Sequence, residues 1–554
     1  MATEPISTSP PAARQRAGGF AALVAAGILL SRIAGLIRER VFAHYLGSSR
    51  AADAFKAALK IPNILQNLFG EGVLSASFIP VYAKLLGEDD EETAGRVAGV
   101  FASILALGVS ILVLIGVLAT PYILAAIAPG FEGEVRMLTI RIVRILFPGI
   151  GLLVLSAWCL GILNSHHKFF LSYVAPVLWN VAMIATLVVF GTRLGQDDLV
   201  IALSWGTVIG SALQLGIQLP FVFRYAKHLS FGFDRFLAPV REIFKNLGPV
   251  VVGRGVVQLS AYIDQMIASY LPVGAVSSLA YAQTIYLLPI SLFGMSVAAA
   301  ELPQMSRQVG TDEEIHSALR KRLERGLRQI AFFVIPSVVA FVAIGRILVA
   351  ALYQTGKFGD EQTLYVWYIL LGSTVGLLAM TLGRLYSSAF YALRDTRTPL
   401  WFATARVVLT GLLGYLFAFP LRWIVVAFFE AIRMPLPHAL GGAAAMGTVG
   451  LTASAGIAGW LEFLLLRRAL QRRIGSVPFP FAYQIRLWAS AIAAAAVAIG
   501  FDLLAARWIA AHLPWRHISE AILVAGIFGL IYFGSLMLLG VPEARATLSR
   551  FTRR

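Results

Sequence analysis

"GFAALVAAGILLSRIAGLIRERVFAHYL" (residues 19–46) reads as a membrane span as far as Leu30, and then charge begins. Ser31, Arg32, Arg38, Glu39 and Arg40 fall within ten residues of an otherwise apolar run. On a helix, residues seven apart nearly superpose. Ser31, Arg32, Gly35, Arg38 and Glu39 then share one face, and Leu30, Ile33, Ala34, Ile37 and Val41 the opposite one, with Arg40 to the side. At 1.5 Å per residue Arg32 lies about 20 Å along the helix from residue 19, near the bilayer middle. An arginine there costs roughly 2.5–3.5 kcal/mol on insertion scales, so several on one face call for a reason. Two reasons fit. Arg38 and Arg40 reach the outer headgroups while Arg32 pairs with Glu39. Alternatively, Arg32 and Arg38 line a wet cavity between two halves of the protein and recognise an anion, with Glu39 holding them when the cavity is empty. Guanidinium forks suit phosphate oxygens.

The rest of the chain supports a membrane reading. Of its 554 residues, 58% are hydrophobic and 14% charged, and mean hydropathy is +0.77. A spanning helix needs about 20 apolar residues, and in lipid its backbone must satisfy itself. The expected fold class is therefore an all-α polytopic membrane protein. Apolar runs predict about fourteen spans: 19–46, 58–84, 95–127, 137–163, 169–192, 198–224, 242–271, 275–305, 327–354, 363–392, 398–428, 439–467, 484–511 and 517–541. The net charge of +17 fits lysine- and arginine-rich cytoplasmic connections rather than a nucleic-acid partner. The even-numbered connections hold the clusters, such as Arg320 to Arg328 and Arg467 to Arg473, so both termini are expected inside. The first span is read as retained, after a short tail, rather than as a cleaved signal. Cys159, the single cysteine, lies in an apolar run and is expected to be a packing residue. No metal site and no catalytic set is expected, and GxxxxGK[ST] is absent.

A repeat runs at about 225 positions. "LFGEGVLSASFIP" (68–80) pairs with "LFGMSVAAAELP" (292–303), "APGFEGE" (128–134) with "QTGKFGDEQ" (354–362), and "ILNSHHKFF" (162–170) with "FYALRDTRTP" (390–399). Two six-span halves follow, as in many secondary transporters. The expected organisation is a disordered cytoplasmic tail (1–18), an N-lobe of spans 1–6 (19–228), a C-lobe of spans 7–12 (229–475), and spans 13–14 with a cytoplasmic C-terminus (476–554). Arg254 and Asp264 lie in span 7, the pseudo-equivalent of span 1. Arg384 lies in span 10.

"SRIAGLIRER", "ADAFKAALKIPN", "LFGEGVLSASFIPVY", "APGF", "ILNSHHKF", "QTGKF" and "FYALRDTRTP" occur in an order that resembles the MurJ (MviN) family of bacterial lipid II flippases, in the multidrug/oligosaccharidyl-lipid/polysaccharide exporter superfamily. The resemblance runs from about residue 25 to the last spans. It implies fourteen spans in two lobes, a cationic central cavity, and a groove at spans 13 and 14 for a lipid tail. It implies as cargo lipid II, an undecaprenyl-diphosphate bearing a disaccharide-pentapeptide, moved to the outer leaflet of the cytoplasmic membrane. It places cavity residues at Ser31, Arg32, Arg38 and Glu39, and a supporting aspartate at Asp53. Where the family commonly has arginine, this chain has Gln66 and Asn67 in span 2 and Gln283 and Thr284 in span 8. Arg254 is expected to supply the lost charge, with Arg384 in support.

The expected mechanism is alternating access. With no nucleotide site, its drive is expected to be the membrane potential or a monovalent cation gradient, with Asp264 the candidate ion ligand. Besides lipid II and bilayer lipids, the expected partners are the cell-wall synthesis machinery, around a monomeric transporter. The rival reading is a flippase of another polyprenyl-diphosphate glycan. An exporter of cationic drugs would want acidic walls. A membrane glycosyltransferase would need carboxylates or histidines in a large outer loop, and the outer loops here are short. A scaffold would not need buried arginines.

Overall fold

The computed structural model describes residues 11–234, 237–306, 311–478 and 480–552, without the side chains of 11–25, 71, 249–250, 252–261, 312 and 548–552. Long apolar runs without β-turn punctuation fold as helices, the form in which a buried backbone satisfies itself within one segment. The chain divides into two compact units, and the division falls inside one helix, between Tyr262 and Ile263.

The first unit holds α1 (Pro11–Leu46), α2 (Arg50–Lys60), α3 (Asn63–Phe69), α4 (Glu71–Gly87), α5 (Glu91–Ile127), α6 (Gly133–Ser165), α7 (Phe169–Phe190), α8 (Gln196–Tyr225) and α9 (Ala238–Ser269) as far as Tyr262. The second takes the rest of α9, the short segment Gly47–Ser49, α10 (Ala275–Pro289), a π-helical turn (Ile290–Met295), α11 (Ser296–Ser306), α12 (Asp312–Ala343), α13 (Gly345–Tyr353), α14 (Asp360–Ala392), α15 (Arg397–Ala418), α16 (Arg422–Ala431), α17 (Met446–Ile474), α18 (Phe481–His512), α19 (Arg516–Leu538) and α20 (Pro542–Thr552).

Among the described residues, twelve helical stretches are long and apolar enough to cross a membrane. The other two expected spans are the helices α1 and α9, of 36 and 32 residues. The boundaries shift in places. The second span starts at Arg50, not 58, because α2 precedes the break at Ile61–Pro62. The eleventh, expected to run to 428, stops at Ala418, and α16 follows as a separate short helix. α1 begins at Pro11, within the stretch read as tail: proline is preorganised for a first helical position, and "AARQR" consists of good helix formers. Residues 1–10 of that tail lie outside the described residues.

The first unit's core joins Phe78 and Tyr82 of α4, Phe101 of α5, and Trp158 and Cys159 of α6. Phe78 stacks on Phe101 with ring centroids 5.1 Å apart, and Cys159 packs as a small hydrophobe, as expected. In the second unit α14 and α17 approach through small residues. A Cβ placed on Gly376 would come within 2.5 Å of the Gly456 Cα, so any side chain there would push the helices apart. A second core joins Phe332 of α12 to Leu487 of α18 and Tyr532 of α19, and the Tyr532 hydroxyl donates to the Phe332 carbonyl at 2.7 Å.

The sequence repeat has structural counterparts. After α6, His166, His167 and Lys168 donate to the carbonyls of Ile162, Asn164 and Leu163, with His167 at φ 59°. After α14, Leu393, Arg394 and Asp395 donate to Ala389, Tyr391 and Phe390, with Arg394 at φ 58°. Both are helix C-caps that close on a left-handed residue. "LFG" marks a helix interruption in each half: Gly70 separates α3 from α4, and Phe293–Gly294 lie in the π-helical turn. Such interruptions cluster at functional sites.

Candidate functional site

The first unit carries a buried ionic cluster built on α1. Glu39, 7% exposed, accepts from the Arg38 guanidinium at 2.7 Å through one carboxylate oxygen and from the Lys56 ammonium at 2.5 Å through the other. Lys56 comes from α2 and is itself buried. Its ammonium lies 4.3 Å from the Phe42 ring centroid, a cation–π contact in a desolvated place. Arg38 also donates to Asn180 of α7 at 3.1 Å, and its guanidinium lies 4.9 Å from the centroid of the Trp179 ring. α1 reaches α7 this closely because Gly27 and Gly35 face it. A Cβ on Gly27 would lie 2.9 Å from the Tyr173 Cβ, and one on Gly35 would lie 4.0 Å from the Asn180 side-chain oxygen.

Two cations, Arg38 and Lys56, share the Glu39 carboxylate. Each partner desolvates the others, and the attraction in a low dielectric offsets that cost only with good geometry. What remains is a half-buried surface on which two cations meet at one carboxylate. Chemically it suits an anion with several oxygens.

The helical projection of α1 agrees with this placement in part, since Ala34 of the apolar face is buried. Glu39 is buried and Arg38 half-buried, whereas Leu30, Ile33 and Ile37 are exposed. Ser31 is half-buried and Arg32 exposed. Glu39 is engaged by Arg38 and Lys56, so the alternative pairing of Arg32 with Glu39 is replaced. Asp53 is buried in the first turn of α2, one turn before Lys56. The Arg254 side chain lies outside the described residues.

The second unit carries its own ionic cluster. Arg406 of α15 pairs with Glu462 of α17 at 2.7 Å. Arg384 of α14 lies within electrostatic reach of Glu462. Arg384, Arg406 and Asp264 all act on the Tyr286 phenol of α10. Arg384 and Arg406 thus both act on Glu462. Asp264 lies 225 positions after Glu39. Among the described residues no group of three or more His, Cys, Asp or Glu side chains is placed to hold a metal ion.

A third feature is an apolar groove of about 550 Å³ against α19. Gly526, Gly529 and Gly534 line it beside Leu530, Phe533 and Met537, and a Cβ on any of the three glycines would meet open space.

The sequence model of the family described as "Lipid II flippase MurJ" matches residues 42–520. The chain belongs to the MurJ family. The lipid II flippase MurJ of Burkholderia cenocepacia is 30% identical over 531 residues, covering 93% of this chain and 96% of that one. The probable lipid II flippase MurJ of Rhizobium meliloti is 30% identical over 523 residues, covering 92% of each. A solved structure of lipid II flippase MurJ in an inward closed conformation superposes with a TM-score of 0.68 at 24% identity, over 93% of this chain. An inward-facing multidrug resistance MATE transporter of the MOP superfamily superposes with a TM-score of 0.59 at 19% identity, over 79% of this chain. These two likenesses concern the fold.

MurJ membership places the chain among transporters rather than enzymes. At the positions where the resemblance leads one to expect arginine, Gln66 and Asn67 stand half-buried on α3, and the Thr284 hydroxyl of α10 is turned back on the Ala280 carbonyl at 3.0 Å. Sequence reasoning missed Lys56, Asn180 and Trp179. A signal existed for Lys56: a lysine midway between the alanines and phenylalanine of "AADAFKAALK" has no water to reach if the helix is buried. For Asn180 and Trp179 there was none, since one helix's periodicity does not reveal what faces it.

Proposed function

We propose that this protein flips lipid II from the inner to the outer leaflet of the bacterial cytoplasmic membrane by alternating access. The observation that carries the reading is the meeting of two cations, Arg38 and Lys56, on the Glu39 carboxylate within a membrane helix of a MurJ family member. A diphosphate offers these cations further acceptors. Its oxygens accept from Arg38 and Lys56, while Glu39 and Asn180 keep the two cations in place with no ligand bound. Arg32, exposed on the same helix, extends the contact toward the second phosphate, with Ser31 beside it. Asp53 fixes the α2 turn that presents Lys56. The glycine-lined groove against α19 suits an isoprenoid tail, which has no polar group to satisfy.

Binding alone moves nothing, because a ligand shifts an equilibrium only by its differential affinity for the two states. The membrane potential or a monovalent cation gradient supplies the direction, with Asp264 as the element that responds. Arg254 and Arg384 are supporting cations in this scheme. Both termini face the cytoplasm, and the transporter works as a single chain alongside the cell-wall synthesis machinery.

The test uses cells that rely on this protein alone. A lipid II-cleaving enzyme is added outside and the accessible disaccharide-pentapeptide is measured. Accessibility should collapse on depletion and return with the wild-type protein but not with the Arg38→Ala, Lys56→Ala variant. Unchanged accessibility on depletion would remove lipid II as the cargo and favour another polyprenyl-diphosphate glycan.

A further inference from the structure

At the end of the first unit opposite His166–Lys168, the starts of α6 and α8 border an open cavity of about 1210 Å³. Its charged groups are three of each sign, and they are segregated. At the rim, Arg50 is shared between Glu134 in the first turn of α6 and Asp197 in the first turn of α8, the latter at 2.6 Å. Asp198, next along α8, is exposed beside them. The rim therefore carries more acid than base.

Two to three turns further along α6 stand Arg141 and Arg144, three residues apart and hence on one face. Among the described residues neither has an ion-pair or hydrogen-bond partner, and both are exposed into the cavity. After Arg144, residues 145–163 carry no charge. That stretch is about 28 Å of helix, close to the hydrocarbon thickness of a bilayer. Arg141 and Arg144 thus lie where apolar helix gives way to headgroups. Trp205 of α8, 55% exposed, faces the same cavity, as aromatic residues do at that level.

We infer that this cavity binds the headgroup of an aminophospholipid of the surrounding leaflet. In such a lipid the phosphate sits nearer the acyl chains and the primary ammonium further out. The cavity offers the complementary order: two unpaired guanidiniums at the depth of the phosphate, and an acidic rim with Asp198 at the depth of the ammonium. A purely anionic headgroup would satisfy the arginines and be repelled by the rim. A quaternary ammonium would satisfy neither rim hydrogen bonds nor its size. The acyl chains would lie along the exposed apolar residues Ile209 and Leu213 of α8. This site is distinct from the α1 cluster and does not depend on what cargo that cluster takes.

The test is native mass spectrometry of the intact purified protein, titrated with phosphatidylethanolamine, phosphatidylglycerol and phosphatidylcholine of matched chains. The expected result is tighter binding of phosphatidylethanolamine than of the other two. It should weaken about tenfold in the Arg141→Gln, Arg144→Gln variant, as loss of charge-assisted hydrogen bonds implies. Asp198→Asn should abolish the preference over phosphatidylglycerol and leave phosphate binding itself intact. These side chains are exposed, so the variants leave the fold unstrained. Equal or tighter binding of phosphatidylglycerol by the wild-type protein would overturn the inference in favour of a simple anion site. Binding unaltered by the double variant would overturn it altogether.

Discussion

The two units each bury charge among membrane helices, yet they do so differently. In the first, Glu39 serves both Arg38 and Lys56, and an amide and an indole face also contact the arginine. In the second, Arg406 pairs with Glu462, which Arg384 also acts on. Two cations that share one carboxylate keep donors to offer an anion with several oxygens. On the proposed function, recognition belongs to the first unit.

The sharpest way to break this contrast is to remove Glu39. Glu39→Ala removes the carboxylate that serves both Arg38 and Lys56 and should cost about 3–5 kcal/mol of stability, a value typical of broken buried pairs. A thermal unfolding scan in detergent would show it, and addition of an anionic diphosphate lipid should restore part of the loss. In the second unit, Arg406→Met alone should cost about 3 kcal/mol, whereas Arg406→Met with Glu462→Leu should be near neutral, because an apolar pair of similar volume removes the desolvation cost. A double-mutant cycle in the same scan checks this. Lys56→Met should reverse the pattern: little stability is lost, since Arg38 and Glu39 then balance, while diphosphate affinity drops about tenfold. If Lys56→Met instead destabilised as much as Glu39→Ala and left affinity alone, the two clusters would be of one kind.

Smaller effects sharpen the picture at the edges. Asn180→Ala removes one hydrogen bond to Arg38 and should cost about 1 kcal/mol, read as a modest rise in the dissociation constant of the same lipid. At the second unit's repeat loop, Asp395 accepts from the Arg397 and Thr398 backbone amides at 3.0 Å each and pairs with Arg473 at 2.7 Å. The Thr398 hydrogen bonds, backed by Arg473, hold its carboxyl down at about 2, against an ordinary 3.8. A carboxyl lowered in the folded state stabilises above its ordinary value. That contribution is therefore present above about pH 4 and is lost as the pH falls through about 2. Asp395→Ala should cost about 1 kcal/mol at neutral pH, as a lost helix cap does, and the difference from wild type should vanish in acid.

Much of this was legible in the sequence. The spans follow from apolar runs, and the charged face of α1 from its 3.6-residue period. The repeat announced itself in "ILNSHHKFF" and "FYALRDTRTP", which now prove to end helices with the same left-handed cap. What stayed hidden lies between helices. Glu39 was seen beside Arg38, but Lys56 comes from α2 and Asn180 from α7, and no pattern within one helix says which neighbour completes it. The start of the second span was also misplaced, because Arg50, Asp53 and Lys56 made the start of α2 look like a connection. The lysine that blurred the span is the one that completes the cluster.

The most direct test of the central claim is the affinity of the purified protein for undecaprenyl diphosphate against undecaprenol, in wild type and in Arg38→Ala and Lys56→Met. The account predicts that wild type binds the diphosphate well above the alcohol, and that either substitution removes most of that preference while tail binding persists. A preference that survives both substitutions would contradict it and place the diphosphate elsewhere.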